Sequence, residues 1–141
     1  MALPDPEIGL VVHFTYLWKR EQSVGLDYPR YARPCAIILA HRRDPVGALQ
    51  VLVAPITHSQ PGIDTTAIEI PVAVKKQIGL DDARSWIVTN EVNEFAWPGY
   101  DLQLNAAGEF SYGILPNRFF ERVRDSVLTS VKAQRLARVQ P

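Results

Sequence analysis

Two polar residues at the boundaries of apolar segments, Arg33 and Thr57, have the side chains needed to bind a phosphate group. Arg33 stands directly before the apolar segment 34–39, and Thr57 closes the apolar segment 51–56. If these segments pair as neighbouring strands, the two side chains lie side by side at one end of a sheet. The arginine guanidinium is permanently charged and its planar fork matches phosphate oxygens, and a hydroxyl beside it adds a hydrogen bond. The pair therefore predicts a phosphate site.

Two histidines are candidates for proton transfer beside this pair. His58 follows Thr57 directly, and a histidine titrates near neutral pH, so it is a candidate general acid or base. Neighbouring residues of a strand point to opposite faces, which leaves open that His58 faces away. His13 lies on the less apolar face of the first predicted strand and is a further candidate to reach the site.

Arg33 and Thr57 also have purely structural interpretations. An arginine before a strand is often one half of a surface ion pair. A threonine at the end of a strand often caps the turn that follows. The sequence alone leaves both alternatives open.

The composition is that of one ordinary domain. The chain has 141 residues, of which 47% are hydrophobic, and its formal net charge is zero, which argues against a protein that coats nucleic acid without specificity. The single cysteine, Cys35, excludes an internal disulfide and is predicted to be a small core residue. No spacing typical of metal ligands occurs, so no metal or cofactor is expected. Without a secretory signal or an apolar span, we expect a cytoplasmic protein with no membrane association.

Charge is distributed unevenly along the chain. Residues 19–43 contain six basic and two acidic residues, and residues 118–141 have the same balance. Because the whole chain is neutral, the middle of the sequence is acidic. The basic segment around Arg33 is either ordinary solvated surface or a rim that attracts a polyanion.

The hydrophobic periodicity predicts five or six short strands followed by one helix. The predicted strands are 10–16, 35–40, 49–57, 66–70, 85–91 and, with a weaker pattern, 110–114. A polar loop is predicted over 19–32, a short helix over 72–78 and an irregular connection over 92–108. An apolar repeat of three to four residues predicts a terminal helix over about 117–136, with Asn117 as its N-cap. The fold class is therefore mainly β, a single domain over 1–141 in which a small curled antiparallel sheet or barrel packs against a C-terminal helix.

The order of these motifs resembles the MazF/PemK toxin family over about residues 8–132. The motifs, in chain order, are Gly9, Gly25, Arg33-Pro34-Cys35-Ala36-Ile37-Ile38, Val53-Ala54-Pro55-Ile56-Thr57, Gly79-Leu80, Ser85-Trp86-Ile87-Val88 and Tyr112-Gly113-Ile114-Leu115, followed by the terminal helix. The two segments that contain Arg33 and Thr57 are the most specific of them.

This resemblance implies an SH3-like β-barrel, a homodimer and a type II toxin that an antitoxin neutralises. Active members of the family are metal-independent endoribonucleases that cut single-stranded RNA, and their catalytic pair falls on Arg33 and Thr57, with His58 added here from its position. RNA carries its own nucleophile, the 2′-hydroxyl, so the expected products are a 2′,3′-cyclic phosphate and a 5′-hydroxyl. The residues predicted to bind RNA are Trp18, Lys19, Arg20, Arg30 and Tyr31. The aromatic rings of Trp18 and Tyr31 either stack on unpaired bases or pack the loop onto the barrel.

The sequence also departs from the family pattern. The family usually has a short glycine-containing loop directly before its Arg-Pro motif, whereas seven residues separate Gly25 from Arg33 here. Arg30, in that longer loop, competes for the role given to Arg33. The alternative prediction is a noncatalytic barrel that binds RNA or a protein partner. A third is an interaction domain whose basic terminal helix binds an acidic partner.

Overall fold

The computed structural model describes residues 3–25, 31–42 and 47–141. These residues form eight strands and three helices. In chain order they are β1 Leu10–Thr15, α1 Lys19–Ser23, β2 Ala32–Arg42, β3 Leu49–Thr57, β4 Ala67–Glu69, α2 Val72–Ile78, β5 Trp86–Val88, β6 Glu91–Ala96, β7 Ser111–Ile114, α3 Asn117–Lys132 and β8 Ala137–Val139.

Strand β3 is the centre of the sheet. It pairs along one side with β2. Along its other side, its first half pairs with β6 and its end pairs with β5. The order of the main path is β4-β5-β3-β2-β1-β7, with β6 and β8 attached beside it. Because β3 changes partner along its length, the sheet curls, as strands do at the corners of small barrels.

Two apolar clusters lie on the two faces of this curled sheet. One includes Val11, Ile87 and the buried face of α3, where Phe119, Val123 and Val127 contact the sheet. The other contains aromatic side chains of β1 and β6 together with Cys35, which is buried as predicted. Alternation along the strands supplies both clusters, since successive residues point to opposite faces. The predicted mainly β fold, a small barrel-like sheet with a C-terminal helix, is confirmed.

The number and bounds of the elements differ from the prediction. Eight strands are present instead of five or six, because β6 occupies part of the expected irregular connection and β8 follows the helix. Strand β6 was hidden by its polar composition: it contains Asn93, which is fully buried because its amide bonds to the backbone of Leu17. Strand β8 pairs with β6 in parallel, so the sheet is not wholly antiparallel.

Two further predictions, the polar loop over 19–32 and the terminal helix, also need correction. The segment expected as a polar loop contains the short helix α1, and α3 ends at Lys132 instead of about residue 136. Gln134 adopts a positive φ of 56° just beyond that end, which turns the chain toward β8. The N-cap of α3 is Pro116, and Asn117 is the first helical residue. Pro116 fits there because a cap needs no backbone N–H inside the helix.

A close approach between β7 and α2 fixes one side of the functional region. A Cβ added to Gly113 would lie 2.9 Å from the Cα of Ile78, a separation that only glycine permits. Helix α2 ends at Gly79, whose φ of 83° is the left-handed conformation that glycine adopts easily. The end of α2 and strand β7 are thereby held side by side.

Candidate functional site

A cleft of about 730 Å³ brings the predicted catalytic residues together. Arg33, Thr57 and His58 all line it. Its walls are formed by the ends of β2 and β3, by strands β1 and β7, and by the segment after α2. The three residues come from positions as far apart as 25 in the sequence, so only the fold assembles them.

The strand register explains why Arg33 and Thr57 meet. Near this end of the β2–β3 ladder, Cys35 faces Pro55. Continued by two positions, this register sets Arg33 opposite Thr57, on the same side of the two strands. Beyond Pro55 the two strands have other partners, since Thr57 pairs with Trp86 of β5 and Arg33 pairs with Phe14 of β1, and both residues line the cleft.

Arg33 is partly buried without a counter-ion among the described residues. Its guanidinium carbon lies 5.1 Å from the centre of the Trp18 ring. Its Nε is buried and donates to no described atom. A buried donor without an acceptor is costly, so an anion that reached this guanidinium would gain a charge-assisted hydrogen bond. The alternative of a surface ion pair does not describe Arg33 within the parts of the chain the structure covers.

Thr57 does cap the turn that follows β3, as its structural interpretation predicted. Its Oγ1 accepts a hydrogen bond from the backbone N–H of Ser59, at 3.1 Å. This bond uses one lone pair of the hydroxyl oxygen and fixes the side chain. The hydroxyl hydrogen has no acceptor among the described residues, so the cap holds Thr57 in place while it can still donate to a ligand in the cleft.

His58 belongs to a charged network at the rim of the cleft. Its Nε2 lies 2.9 Å from one oxygen of Asp81 and 3.2 Å from the other. The same carboxylate accepts from the ammonium of Lys75 at 3.3 Å, although Lys75 is only 3% exposed. Burial raises the pKa of Asp81, but hydrogen bonds from His58 and Lys75 outweigh it and hold the pKa below its usual value. The imidazole is therefore oriented by a carboxylate that stays ionised.

Strand alternation does not turn His58 away, because β3 ends at Thr57. The sequence prediction missed Asp81 and Lys75. The available signal was Gly79, which ends a helix and places the acidic pair Asp81 and Asp82 in the next turn.

His13 reaches the same cleft from β1. Its Nδ1 lies 3.0 Å from the hydroxyl oxygen of Tyr112 on the neighbouring strand β7, and both side chains line the cleft. Burial lowers the pKa of His13 and raises the pKa of Tyr112. Both groups are therefore neutral at neutral pH. Tyr112 lies in one of the motifs on which the resemblance to the MazF/PemK family rests, but it was not predicted as a site residue.

The residues predicted to bind RNA have different environments. Trp18 is 7% exposed, and besides Arg33 it contacts the guanidinium of Arg20, at 4.6 Å from its ring centre. Lys19 and Arg20 are exposed on α1, and Tyr31 is 69% exposed beside β2. Arg30 lies outside the described residues. The ring of Trp18 thus contacts two guanidinium groups. Of the two aromatic residues predicted to bind RNA, Tyr31 is the one exposed to solvent.

Side chains of β6 anchor the segment that carries Trp18. Asn93 accepts from the N–H of Leu17 at 2.9 Å and donates to its carbonyl at 2.8 Å. Glu91 accepts from the hydroxyl of Tyr16 and from the backbone N–H of Lys19. Burial raises the pKa of Glu91 although these hydrogen bonds and nearby cations lower it. The position of Trp18, whose ring the Arg33 guanidinium contacts, depends on these polar contacts.

Among the described residues, no three His, Cys, Asp or Glu side chains are arranged to hold a metal ion. The thiol of Cys35 is fully buried, and burial raises its pKa, which suits an inert core residue. No helix in the described part of the chain is long and apolar enough to span a bilayer.

Comparison with known proteins gave no match to any family model, any curated protein or any solved structure.

Proposed function

We propose that this protein is a metal-independent endoribonuclease of the MazF/PemK kind, which cleaves single-stranded RNA in the cleft that contains Arg33 and Thr57. One observation carries the proposal. The two residues that the sequence pattern assigns to catalysis, together with His58, line a single cleft, and Arg33 has no carboxylate partner among the described residues. An unpaired guanidinium beside a donating hydroxyl is the arrangement that a phosphodiester requires.

Cleavage of RNA at such a site has three chemical requirements. The 2′-hydroxyl must lose its proton as it attacks phosphorus, the phosphorane must be stabilised, and the 5′-oxygen must be protonated as it leaves. The phosphorane carries more charge than the diester, so donors placed around it favour the transition state over the ground state.

Arg33 and Thr57 stabilise the phosphorane. The guanidinium donates to nonbridging oxygens and carries a permanent positive charge, and Thr57 donates its hydroxyl hydrogen to the same phosphate. The bond from the Ser59 N–H to Thr57 Oγ1 fixes the hydroxyl before the substrate arrives, which reduces the reorganisation needed during reaction. His58, oriented by Asp81, is available for proton transfer.

The remaining features of the family belong to this proposal as well. They are a homodimer, a protein antitoxin as partner and a toxin that acts on RNA in the cytoplasm. The exposed basic residues of α1, Lys19 and Arg20, extend the positive charge from Arg33 along the surface, and the exposed ring of Tyr31 offers a face on which an unpaired base can stack.

The test is incubation of the purified protein with a single-stranded RNA in EDTA. We expect cleavage that leaves 2′,3′-cyclic phosphate and 5′-hydroxyl ends, and a decrease of about 10²–10³-fold in the Arg33→Ala variant. Arg84→Ala is the matched control, because Arg84 also contacts a tryptophan ring but lies outside the cleft lining, and it should cleave like the wild type.

Three results bear on the alternatives. No cleavage by pure wild-type protein, or equal cleavage by Arg33→Ala, contradicts the proposal. RNA binding without cleavage supports the noncatalytic binding module instead. Growth arrest on induced expression, relieved by Arg33→Ala, agrees with a toxin, whereas normal growth argues against one.

A further inference from the structure

The cleft contains a second histidine that the roles above leave unused. His13 and Tyr112 form a hydrogen-bonded pair, 3.0 Å from Nδ1 to the hydroxyl oxygen, on the adjacent strands β1 and β7. Their rings meet edge to face, with centres 5.9 Å apart. On the other side of β1, His13 pairs in the ladder with Pro34 of β2, the residue after Arg33. His13, Arg33 and Thr57 all line the cleft, so the imidazole shares the cavity of the proposed phosphate site.

We propose that His13 is a catalytic residue, the general base that removes the proton from the 2′-hydroxyl, while His58 is the general acid that protonates the leaving 5′-oxygen. This inference rests on the proposed function and goes beyond it by assigning the two proton transfers to two different histidines.

The surroundings of His13 suit a base. A base must be neutral before reaction, and burial lowers the pKa of this imidazole. In the tautomer whose Nδ1–H donates to the hydroxyl oxygen of Tyr112, the lone pair is on Nε2. Nε2 makes no hydrogen bond to a described residue, so it remains available to accept a proton from a ligand.

The surroundings of His58 suit an acid. Its Nε2–H donates to Asp81, at 2.9 Å, and Lys75 contacts the same carboxylate. This fixes the ring through one nitrogen and leaves Nδ1 for the substrate. When Nδ1 carries a proton, that proton can pass to the leaving oxygen. Two histidines in unlike environments thus divide the acid and base roles, the arrangement by which one site performs both.

The reaction balances without a co-reactant. The 2′-O–H proton moves to His13 Nε2 as the bond from the 2′-oxygen to phosphorus forms. The bond from phosphorus to the 5′-oxygen breaks, and that oxygen takes the proton of His58 Nδ1. The products are a 2′,3′-cyclic phosphate and a 5′-hydroxyl. His13 is left protonated and His58 neutral, and proton exchange with water restores both.

The decisive experiment compares two RNA substrates that differ in one atom. In the second, sulfur replaces the 5′-bridging oxygen, and a thiolate leaves without being protonated, so the acid is no longer needed. We expect His58→Ala to lose about 10²–10⁴-fold in kcat on ordinary RNA and to recover most of that loss on the sulfur substrate. His13→Ala should lose as much on ordinary RNA and recover little on the sulfur substrate.

Further variants separate chemistry from folding. His13→Asn retains a polar side chain beside Tyr112 and should be as inactive as His13→Ala, and added imidazole should restore part of the activity of His13→Ala. His41→Gln is the matched control, because His41 lies outside the cleft with its Nε2 4.0 Å from Glu94, and it should cleave like the wild type. Thermal unfolding of each variant shows whether it folds.

The pH profile gives an independent readout. A base with a pKa below 6.5 gives kcat/KM an acidic limb below that pH, which should disappear in His13→Ala. The other titratable or charged groups among the described cleft residues are Arg33, His58, Asp81 and Tyr112. Asp81 remains ionised across this range, so it does not produce that limb.

Several outcomes overturn the inference, and they differ from failure of the proposed function. If His13→Ala or His13→Asn cleaves like the wild type while Arg33→Ala is inactive, the function stands and the role of His13 is wrong. If the sulfur substrate rescues His13→Ala instead of His58→Ala, the assignment is reversed and also wrong. If the wild type cleaves neither substrate, the function itself fails, and this assignment with it.

Discussion

Two arginines of this protein, Arg33 and Arg84, contact tryptophan rings in nearly the same way but differ in their charge environment. Their guanidinium carbons lie 5.1 Å and 4.9 Å from the ring centres of Trp18 and Trp86. Arg84 donates from Nε and Nη2 to the two oxygens of Glu69, at 2.9 Å and 2.8 Å. Arg33 has no such carboxylate among the described residues. The two arginines therefore differ in having or lacking a neighbouring carboxylate and not in their aromatic contact. Arg84 is one half of an ion pair with Glu69, and the charge of Arg33 is not used in such a pair among the described residues.

The two tryptophans are also held in different ways. Trp86 lies inside β5, where the backbone pairs with β3 and β4. Trp18 lies outside the strands, in a segment held mainly by the side chains of Asn93 and Glu91. The ring that Arg84 contacts is therefore positioned by the sheet, whereas the ring that Arg33 contacts is positioned by a few buried polar contacts.

The largest effect should follow from giving Arg33 the carboxylate that Arg84 already has. Thr57→Glu places an acid in the cleft that Arg33 also lines, where it competes with the substrate phosphate, and the change also removes the hydroxyl. We expect kcat/KM for RNA cleavage to fall by roughly 10²–10³-fold or more. The control is Thr57→Gln, which has the same shape without the charge and should retain more activity. Equal losses in the two variants would show that the charge of Arg33 is unimportant.

Removal of the anchor beneath Trp18 should produce the next largest effect. Asn93→Ala leaves the buried N–H and carbonyl of Leu17 without their partner, which should lower the free energy of unfolding by about 2–4 kcal/mol. Chemical denaturation measures it. Asn90→Ala is the control: its amide makes one exposed bond, to the carbonyl of Asp64, and should cost about 1 kcal/mol or less. If both variants lose the same stability, the segment is not anchored as described.

Removing either tryptophan ring should affect RNA cleavage differently for the two arginines. Trp18→Leu removes the aromatic contact of Arg33 and should reduce cleavage by about tenfold, the magnitude of a desolvated cation–π interaction. Trp86→Leu removes the equivalent contact of Arg84 and should reduce stability but leave kcat/KM of the folded protein unchanged. Cleavage rates measured well below each variant's unfolding temperature give the comparison. A larger activity loss in Trp86→Leu would contradict it.

The smallest effect should come from breaking the ion pair of Arg84. The hydrogen bond from Arg84 holds the pKa of Glu69 below its ordinary value of 4.5, so Glu69 stabilises the fold above that pH, and the contribution is lost as the pH falls through the lower value. Glu69→Gln should therefore unfold at a slightly lower temperature than the wild type at pH 7 and at the same temperature at strongly acidic pH. The rate of RNA cleavage should not change. A decrease as large as that of Arg33→Ala would contradict the claim that the Arg84–Glu69 pair is only structural.

Strand periodicity and motif order were enough to predict the fold class and the pairing of β2 with β3, which carry Arg33 and Thr57. Both depend on local patterns: apolar alternation defines β2 and β3, and the antiparallel register brings their ends together. His58, which also lines the cleft, was a candidate from sequence because it follows Thr57 directly. Strand β6 was not, since Asn93 and Glu94 make it look polar although both are buried.

The network around the site could not be predicted from local sequence. The pairs His58 with Asp81 and His13 with Tyr112 join residues 23 and 99 positions apart, and both pairs depend on how α2 and β7 return to the cleft. Likewise, Arg33 and Arg84 both precede a predicted strand, so the local sequence does not distinguish them. Only the folded positions of the acidic residues show which of the two is paired.

The most direct test of the central claim is whether RNA phosphate binds at Arg33 and not at Arg84. The Nε–H resonances of both arginines can be followed by NMR while a 2′-O-methyl oligoribonucleotide, which has no nucleophile and is not cleaved, is added in EDTA. We predict that the Arg33 Nε–H signal shifts and becomes protected from exchange with water, while that of Arg84 stays at its position in the Glu69 pair. An unchanged Arg33 signal with bound oligonucleotide, or an equal shift at Arg84, would contradict the account.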